Sequence, residues 1–164
     1  MIRRILLILL AILVVIQFIR PARNASGEKS KDISTLYPVP DSVETILARA
    51  CNDCHTNKTV YPWYAEVQPV GWWLNNHIEE GKHHLNLSNF ASMRIAVQKK
   101  GMDEIQEQIK KDEMPLDSYT WIHKDAILSE ADKTTLNQWS QGIIDSIKAH
   151  YPADSLKLEK RKWD

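Results

Sequence analysis

The sequence predicts an all-α protein, and three observations support this class. Apolar residues recur at intervals of three and four in the stretches that begin near Asp41 and near Ser129, which places them on one face of a helix. Both stretches open with a polar cap residue that is followed three residues later by an acidic one, the pattern of a capping box. No alternation of apolar and polar residues lasts long enough to predict a β-strand.

The N-terminal segment, residues 1–23, is predicted to be a membrane anchor or an uncleaved signal. An unbroken apolar run from Ile5 to Ile16 continues to Ile19 and is flanked by arginines. Its length falls between the about 17–25 residues of a membrane span and the about 7–15 of a signal-peptide core. Flanking arginines can lengthen a short span because their charged ends reach the interface. Since no small-x-small cleavage site follows, an uncleaved inner-membrane anchor is favoured over a cleaved signal.

The rest of the chain is predicted to form one domain. Residues 24–40 are polar and contain Pro38 and Pro40, which is typical of a linker. Residues 41–152 are long enough for a single helical domain, and residues 153–164 form a charged tail.

The charge distribution excludes one class of partner. All four basic residues of the first 24 positions are arginines in a stretch without acids, so the remaining chain carries four more acidic than basic residues. A mildly acidic body has no basic stripe to neutralise phosphates. We therefore expect no nucleic-acid binding.

Four helices are predicted along the domain, with approximate bounds at 41–51, 72–80, 88–111 and 129–152. The first begins with Asp41 as its N-cap and leads directly into Cys51. Gly81 is predicted to end the second helix, since glycine is common just beyond a helix C-terminus. The third begins at a Ser88 cap.

The third and fourth helices also carry internal signals. Gly101 is predicted to interrupt the third helix, and Pro115 to keep Met114 out of the helical conformation. The fourth helix is the clearest, with Ser129 and Asp132 as a capping box and a stop at Pro152. Its apolar stripe has four members: Leu136, Trp139, Ile143 and Ile147.

The strongest chemical signal is Cys51-Asn52-Asp53-Cys54-His55, which has the C-x-x-C-H spacing of c-type haem attachment. Two thiols on one turn can form thioether bonds with the two vinyl groups of a haem, and the following imidazole can bind the iron. A thioredoxin-like motif should lie near a βαβ pattern, and none is visible. A structural zinc site usually needs four ligands, whereas the chain has two cysteines in all. A plain disulfide would leave His55 unexplained.

The motif therefore predicts one covalently attached haem c as the cofactor. In bacteria this attachment occurs outside the cytoplasmic membrane, which agrees with an exported body behind residues 1–23. We expect a location in the bacterial cell envelope, with the haem domain in the periplasm and the N-terminal helix in the membrane.

The second axial ligand of the iron decides the function. Met114 is favoured because it precedes Pro115 in a non-helical turn, where a thioether can reach back over the haem. A methionine ligand raises the reduction potential, which suits electron transfer. His77 and His123 are the rivals. The full set of candidates in the domain is Met93, Met102, Met114, His77, His83, His84, His123 and His150.

The remaining candidates have ordinary interpretations. Met93 and Met102 fall in predicted helices, where methionine usually fills gaps in the core. His83 and His84 follow a glycine and are expected to be exposed. Four tryptophans, Trp72, Trp73, Trp121 and Trp139, are expected in the core, with Trp139 on the last helix as a wall of the haem pocket.

These motifs carry a resemblance to known families. A capped helix that leads into Cys51–His55, a later Met114-Pro115 and a final capped helix at Leu128–Asp132 look like a class I cytochrome c. From about Val43 to about Trp139 the chain also resembles the small bacterial "haem-binding domain" family. The segments that carry this second resemblance are Cys51–His55, Tyr61–Tyr64, Pro69–Val70, His77–Gly81 and Leu85–Asn86. Membership implies a C-x-x-C-H haem site, usually behind a signal or anchor.

The leading functional prediction is a membrane-anchored monohaem cytochrome that carries single electrons, with no catalysis beyond the transfer. Its redox partners are not identified by any motif. The alternative is a peroxidase-like haem enzyme or a gas or redox sensor, in which the iron keeps an open face and His77 or His123 acts as a distal acid–base group. A third possibility is an accessory haem subunit that docks on a larger oxidoreductase.

Overall fold

The computed structural model describes residues 1–158, and within that range every regular element is helical. The predicted all-α class is confirmed. Seven α-helices are present: α1 (Ile2–Ile16), α2 (Asp41–Ala50), α3 (Asn52–His55), α4 (Val70–His84), α5 (Ile95–Lys110), α6 (Asp117–Thr120) and α7 (Glu130–His150). Short 3-10 segments cover Ile33–Thr35, Trp63–Glu66, Leu87–Ser92, Lys124–Ala126 and Ala153–Leu156.

Helix α1 occupies most of the predicted N-terminal anchor. It has 15 residues, none of which is buried. No helix among residues 1–158 has both the length and the apolarity needed to cross a membrane. The transmembrane helix predicted within residues 1–23 is therefore not supported.

Residues 24–40, predicted to be a linker, lie against the domain. The Asn24 side chain is buried and donates hydrogen bonds to the Thr56 carbonyl at 2.8 Å and to Thr59 Oγ1 at 2.9 Å. Ile33 belongs to the main apolar core. The polar composition predicts a linker, but Asn24 and Ile33 contact residues that are distant in sequence. Local sequence does not reveal such contacts.

Helix α2 leads into the haem motif, and its start differs from the prediction. Pro40 is the N-cap, and Asp41 lies in the first turn, so the predicted capping box at Asp41 is wrong. The carboxylates of Asp41 and Glu44 still favour the helix, because negative charge stabilises the N-terminal end of the helix dipole.

The capping box of the last helix is confirmed. Ser129 accepts from the Asp132 backbone N–H, and Asp132 accepts from the Ser129 N–H. Arg49, near the end of α2, forms an ion pair with Asp132 at 2.7 Å. The Ser129 hydrogen bond and then Arg49 lower the pKa of Asp132 to about 2. This contact ties the helix before the haem motif to the start of α7.

Two glycines were predicted to break helices, and both predictions are wrong. Gly81 lies inside α4, where a Cβ would be 2.7 Å from the Cys54 carbonyl oxygen. Gly101 lies inside α5, where a Cβ would be 2.9 Å from Cδ1 of Leu85. Glycine is required at position 81, where the backbone of the haem motif approaches closely, whereas at position 101 a Cβ would require the Leu85 side chain to shift. Ser88, predicted to cap a long helix, lies instead in the 3-10 segment that precedes α5.

The buried apolar residues form two clusters. The larger joins α2, α5 and α7 through residues that include Val43, Met102 and Leu136. The smaller consists of Leu74 and Ile78 of α4 and Tyr64 of the preceding 3-10 segment. Cys51 packs against the larger cluster and Cys54 against the smaller one.

The C-terminal end follows the prediction up to Pro152. Helix α7 ends at His150, and all four predicted members of its stripe are buried. The predicted charged tail, 153–164, begins with the 3-10 segment Ala153–Leu156. Residues 159–164 lie outside the described part of the chain.

Candidate haem site

The C-x-x-C-H motif forms one short helical turn. Cys51 joins α2 to α3, and its carbonyl accepts hydrogen bonds from the N–H of Cys54 at 3.2 Å and of His55 at 3.0 Å. This turn directs both thiols and the imidazole to the same cavity. The local order that the motif needs for two thioether bonds is therefore built into the backbone.

The cavity has a volume of about 460 Å³, within the usual range for pockets that hold a cofactor. Helices α2 and α3 form one wall, and α4 and α5 form the next two. The segment that carries Met114 and Leu116 forms a fourth wall, and Tyr119 of α6 and Leu136 of α7 also line the cavity. Most of this surface is apolar, as a porphyrin requires, and the few acidic side chains include Glu80 and Glu104.

His55 is oriented by the backbone at the end of α4. Its Nδ1 is 2.9 Å from the Leu85 carbonyl oxygen. A carbonyl can only accept, so Nδ1 carries the proton and Nε2 keeps its lone pair. Burial lowers the pKa of His55. The imidazole is therefore neutral and held in the tautomer that binds a metal through Nε2, and a hydrogen bond of this kind is usual for metal-binding histidines.

The two thiols are free and chemically quiet in this fold. Burial raises the pKa of Cys51 to about 12 and the pKa of Cys54 to about 11. Both thiols are therefore protonated at neutral pH. They fit the role of covalent attachment points better than that of redox-active thiols, which need a lowered pKa.

Met114 lies on the lining of the same cavity. It is half-buried in the loop after α5, directly before Pro115. Met102 is fully buried in the larger core cluster, and Met93 packs against that cluster. The structure therefore brings Met114 to the cavity that holds the C-x-x-C-H residues, and leaves the other two methionines of the domain in the core.

The two rival histidines, His77 and His123, lie in different places relative to the cavity. His77 lines the cavity, and its ring packs at a tilt against Trp73, with the ring centroids 4.2 Å apart. His123 is not on the cavity lining. Its Nε2 is hydrogen-bonded to the Tyr64 hydroxyl at 2.9 Å. Among the remaining candidates, His84 also lines the cavity, whereas His83 is exposed and His150 bonds to its own helix.

Trp139, predicted as a wall of the haem pocket, does not line the cavity. It is buried in the larger core cluster, and its Nε1 donates to the Pro38 carbonyl at 3.1 Å. The position of α7 explains this difference, because Leu136, one turn earlier, is the residue of that helix that reaches the cavity.

A contact between the motif and α6 was not predicted from the sequence. The Tyr119 hydroxyl donates to Oδ2 of Asp53 at 2.9 Å, and the Val60 N–H donates to Oδ1 at 2.8 Å. Tyr119 also lines the cavity and stacks on His123. Burial and the neighbouring Asp53 raise the pKa of Tyr119. No local pattern signals this pair, because the two residues are 66 positions apart.

Replacing Tyr119 by phenylalanine is expected to destabilise the haem-loaded protein by about 1.5–3 kcal/mol, the usual value of a hydrogen bond to a charged group. Denaturant unfolding, followed by circular dichroism, would measure the loss. Tyr151→Phe is a matched control, since that exposed side chain makes no hydrogen bond within residues 1–158. Equal stabilities for the two variants would contradict the role assigned to Tyr119.

Comparison with known proteins supports haem binding. The family model for the haem-binding domain matches residues 11–142, which is most of the chain. No curated protein and no solved structure matches. The matched range spans the cavity-lining helices α2 to α5 and the start of α7. The chain therefore belongs to the haem-binding domain family.

Proposed function

We propose that the protein is a monohaem c-type cytochrome that carries electrons in the bacterial cell envelope. One observation carries this proposal: a single apolar cavity collects both thiols of the motif, the neutral His55 imidazole and the Met114 thioether. Cys51 and Cys54 would hold the haem through two thioether bonds, and His55 and Met114 would bind its iron. When bound, the haem supplies an iron that cycles between Fe(II) and Fe(III).

The residues of the chain suit one-electron transfer. The Leu85 carbonyl holds the His55 ring in one orientation, so the ligand does not have to reorganise when the charge of the site changes. A thioether ligand favours Fe(II) and raises the potential. An iron bound by both His55 and Met114 would offer no coordination site to a substrate. These features support a carrier over an enzyme.

The location in the periplasm is part of the proposal. Covalent haem attachment takes place outside the cytoplasm, and the apolar segment from Ile2 to Ile16 favours export and attachment to the inner membrane. Redox partners would be other proteins of the envelope, including a larger oxidoreductase if the chain serves as an accessory subunit.

A haem enzyme or gas sensor is the second candidate, and the position of His77 favours it. This half-buried imidazole lines the same cavity as His55. If Met114 did not bind, His77 could serve as a distal acid–base group for a small ligand such as peroxide.

The optical spectrum of the purified ferric protein separates the two candidates. A carrier with a methionine ligand is expected to show the weak charge-transfer band at the red edge and to resist cyanide and carbon monoxide. Rapid binding of either ligand to the unmodified protein would instead favour an enzyme or sensor. A protein without haem, after maturation in a host that attaches haem c, would overturn both.

A further inference from the structure

We propose that one face of the folded domain, at the base of α1, lies directly on a phospholipid bilayer. This basal face consists of Phe18, Val67, Val70 and Trp73. The inference rests on the membrane attachment proposed above and adds which side of the domain meets the lipid.

Helix α1 presents an apolar surface to solvent. None of its residues is buried, and its large apolar side chains point to solvent on every side. A continuous apolar surface of this size is unusual on a soluble monomer and marks an interaction site. Acidic residues are absent from the first 24 positions, which contain Arg3, Arg4, Arg20 and Arg23. An apolar helix with basic residues at both ends suits a bilayer with anionic headgroups.

Helix α1 is fixed to the domain by hydrogen bonds at its C-terminal end. The Gln17 side chain donates to the Gln68 carbonyl at 3.1 Å and accepts from the Gln68 N–H at 2.9 Å. The indole Nε1 of Trp72 donates to the Ile19 carbonyl at 2.7 Å. Gln68 is almost fully buried, so this junction is part of the folded domain. Lipid around α1 must therefore meet a defined surface next to it.

Two arginines strengthen the junction. Arg20 and Arg23 both contact the Glu66 carboxylate, and about half of each arginine side chain remains exposed. Arginines in this position can face lipid phosphates while they hold the chain against the 3-10 segment Trp63–Glu66.

Apolar side chains are exposed to solvent at the junction between α1 and the domain. Phe18 is 83% exposed, and Val67, Val70 and Trp73 are each about two-fifths exposed. Val67 and Val70 flank Gln68, the residue bound by Gln17, and Trp73 lies one helical turn after Val70. Tryptophan is enriched where proteins meet the membrane interface. Exposed apolar side chains are therefore present on the domain next to the residues that anchor α1.

The orientation that follows brings the cavity near the membrane. The Trp73 ring lies 4.2 Å from the ring of His77, which lines the cavity. A domain that rests on its basal face places this edge of the cavity beside the headgroups, where electron partners resident in the membrane can approach.

Photo-crosslinking tests the proposal with the full-length, haem-loaded protein. The crosslinking residue p-benzoylphenylalanine replaces Val67 or Val70 in separate samples, and the protein is illuminated in vesicles of phosphatidylethanolamine and phosphatidylglycerol. Mass spectrometry is expected to find lipid adducts at both positions. Ile127 is the matched control, because it is apolar and 53% exposed but lies in the loop before α7. We expect no lipid adduct there.

A further sample with the crosslinker at Leu10 identifies the cause of a negative result. Lipid adducts at Leu10 but not at positions 67 and 70 would overturn the basal face and leave membrane attachment in place. The absence of lipid adducts at all three positions would overturn both. Crosslinks between two copies of the chain at positions 67 and 70 would show that a second protein, and not lipid, covers this face. The haem spectrum of the same samples tests the electron carrier independently.

Discussion

Replacing both Cys51 and Cys54 by alanine is expected to abolish retention of haem through denaturation and acid–organic extraction. In the unchanged protein the two thioethers make the haem part of the polypeptide, so it should stay with the chain after unfolding. In the double variant His55 would be the remaining attachment on this side of the cavity, and a coordinate bond does not survive acid. The measurement is the haem absorbance that co-migrates with the polypeptide in a denaturing gel.

A variant in the same turn serves as the control for this experiment. Asn52 lies between the two cysteines and does not line the cavity. Asn52→Ala should therefore keep its haem through extraction. If haem extracts freely from the unchanged protein after maturation in a host that attaches haem c, covalent attachment is the wrong interpretation of the motif.

Replacing Met114 by alanine is expected to open a coordination site and lower the reduction potential. The cavity lining loses its thioether, so cyanide or carbon monoxide should bind readily where the unchanged protein resists both. A thioether favours Fe(II), and its loss favours Fe(III). Each fall of about 59 mV in a one-electron potential is a tenfold change in the equilibrium constant. Redox titration and ligand binding measure the two effects.

Met102→Ala is the matched control, because this methionine is fully buried and packs in the core away from the cavity lining. It should cost about 2–5 kcal/mol of stability as a cavity-forming substitution, without opening the iron to ligands. His77→Ala and His123→Ala complete the set. If Met114→Ala changes neither property while His77→Ala changes both, two histidines hold the iron. If the unchanged protein already binds ligands as readily as Met114→Ala, the enzyme or sensor takes the place of the carrier.

Local sequence was sufficient for the parts of the fold that depend on local chemistry. The Ser129 capping box and the stripe on α7 involve residues within a few turns of one another, and the structure contains both. The C-x-x-C-H turn likewise needs five consecutive residues. The approach of Met114 to the same cavity was predicted from a single proline, and its role as a ligand stays a prediction.

Long-range contacts account for the features that were missed. Judged from its sequence neighbours alone, Gly81 resembles the end of a helix. Glycine is required there because the Cys54 carbonyl oxygen, which comes from another helix, lies too close for a Cβ. The same applies to Asp53 and Tyr119, and to the packing of Asn24 on Thr56 and Thr59. In each case the partner is far away in sequence, and a propensity or a short motif carries no information about it.

The division of the core into two clusters has a consequence for cooperativity. Parts of a protein that share few buried contacts can open as separate units with different free energies. Cys51 packs on the larger cluster and Cys54 on the smaller one. A single cofactor bonded to both sulfurs would link the two clusters, because Cys51 and Cys54 are only three positions apart in the chain. Hydrogen exchange of the loaded protein should then show one common opening free energy for α4 and α7, whereas a chain without the thioethers should exchange the amides of α4 first.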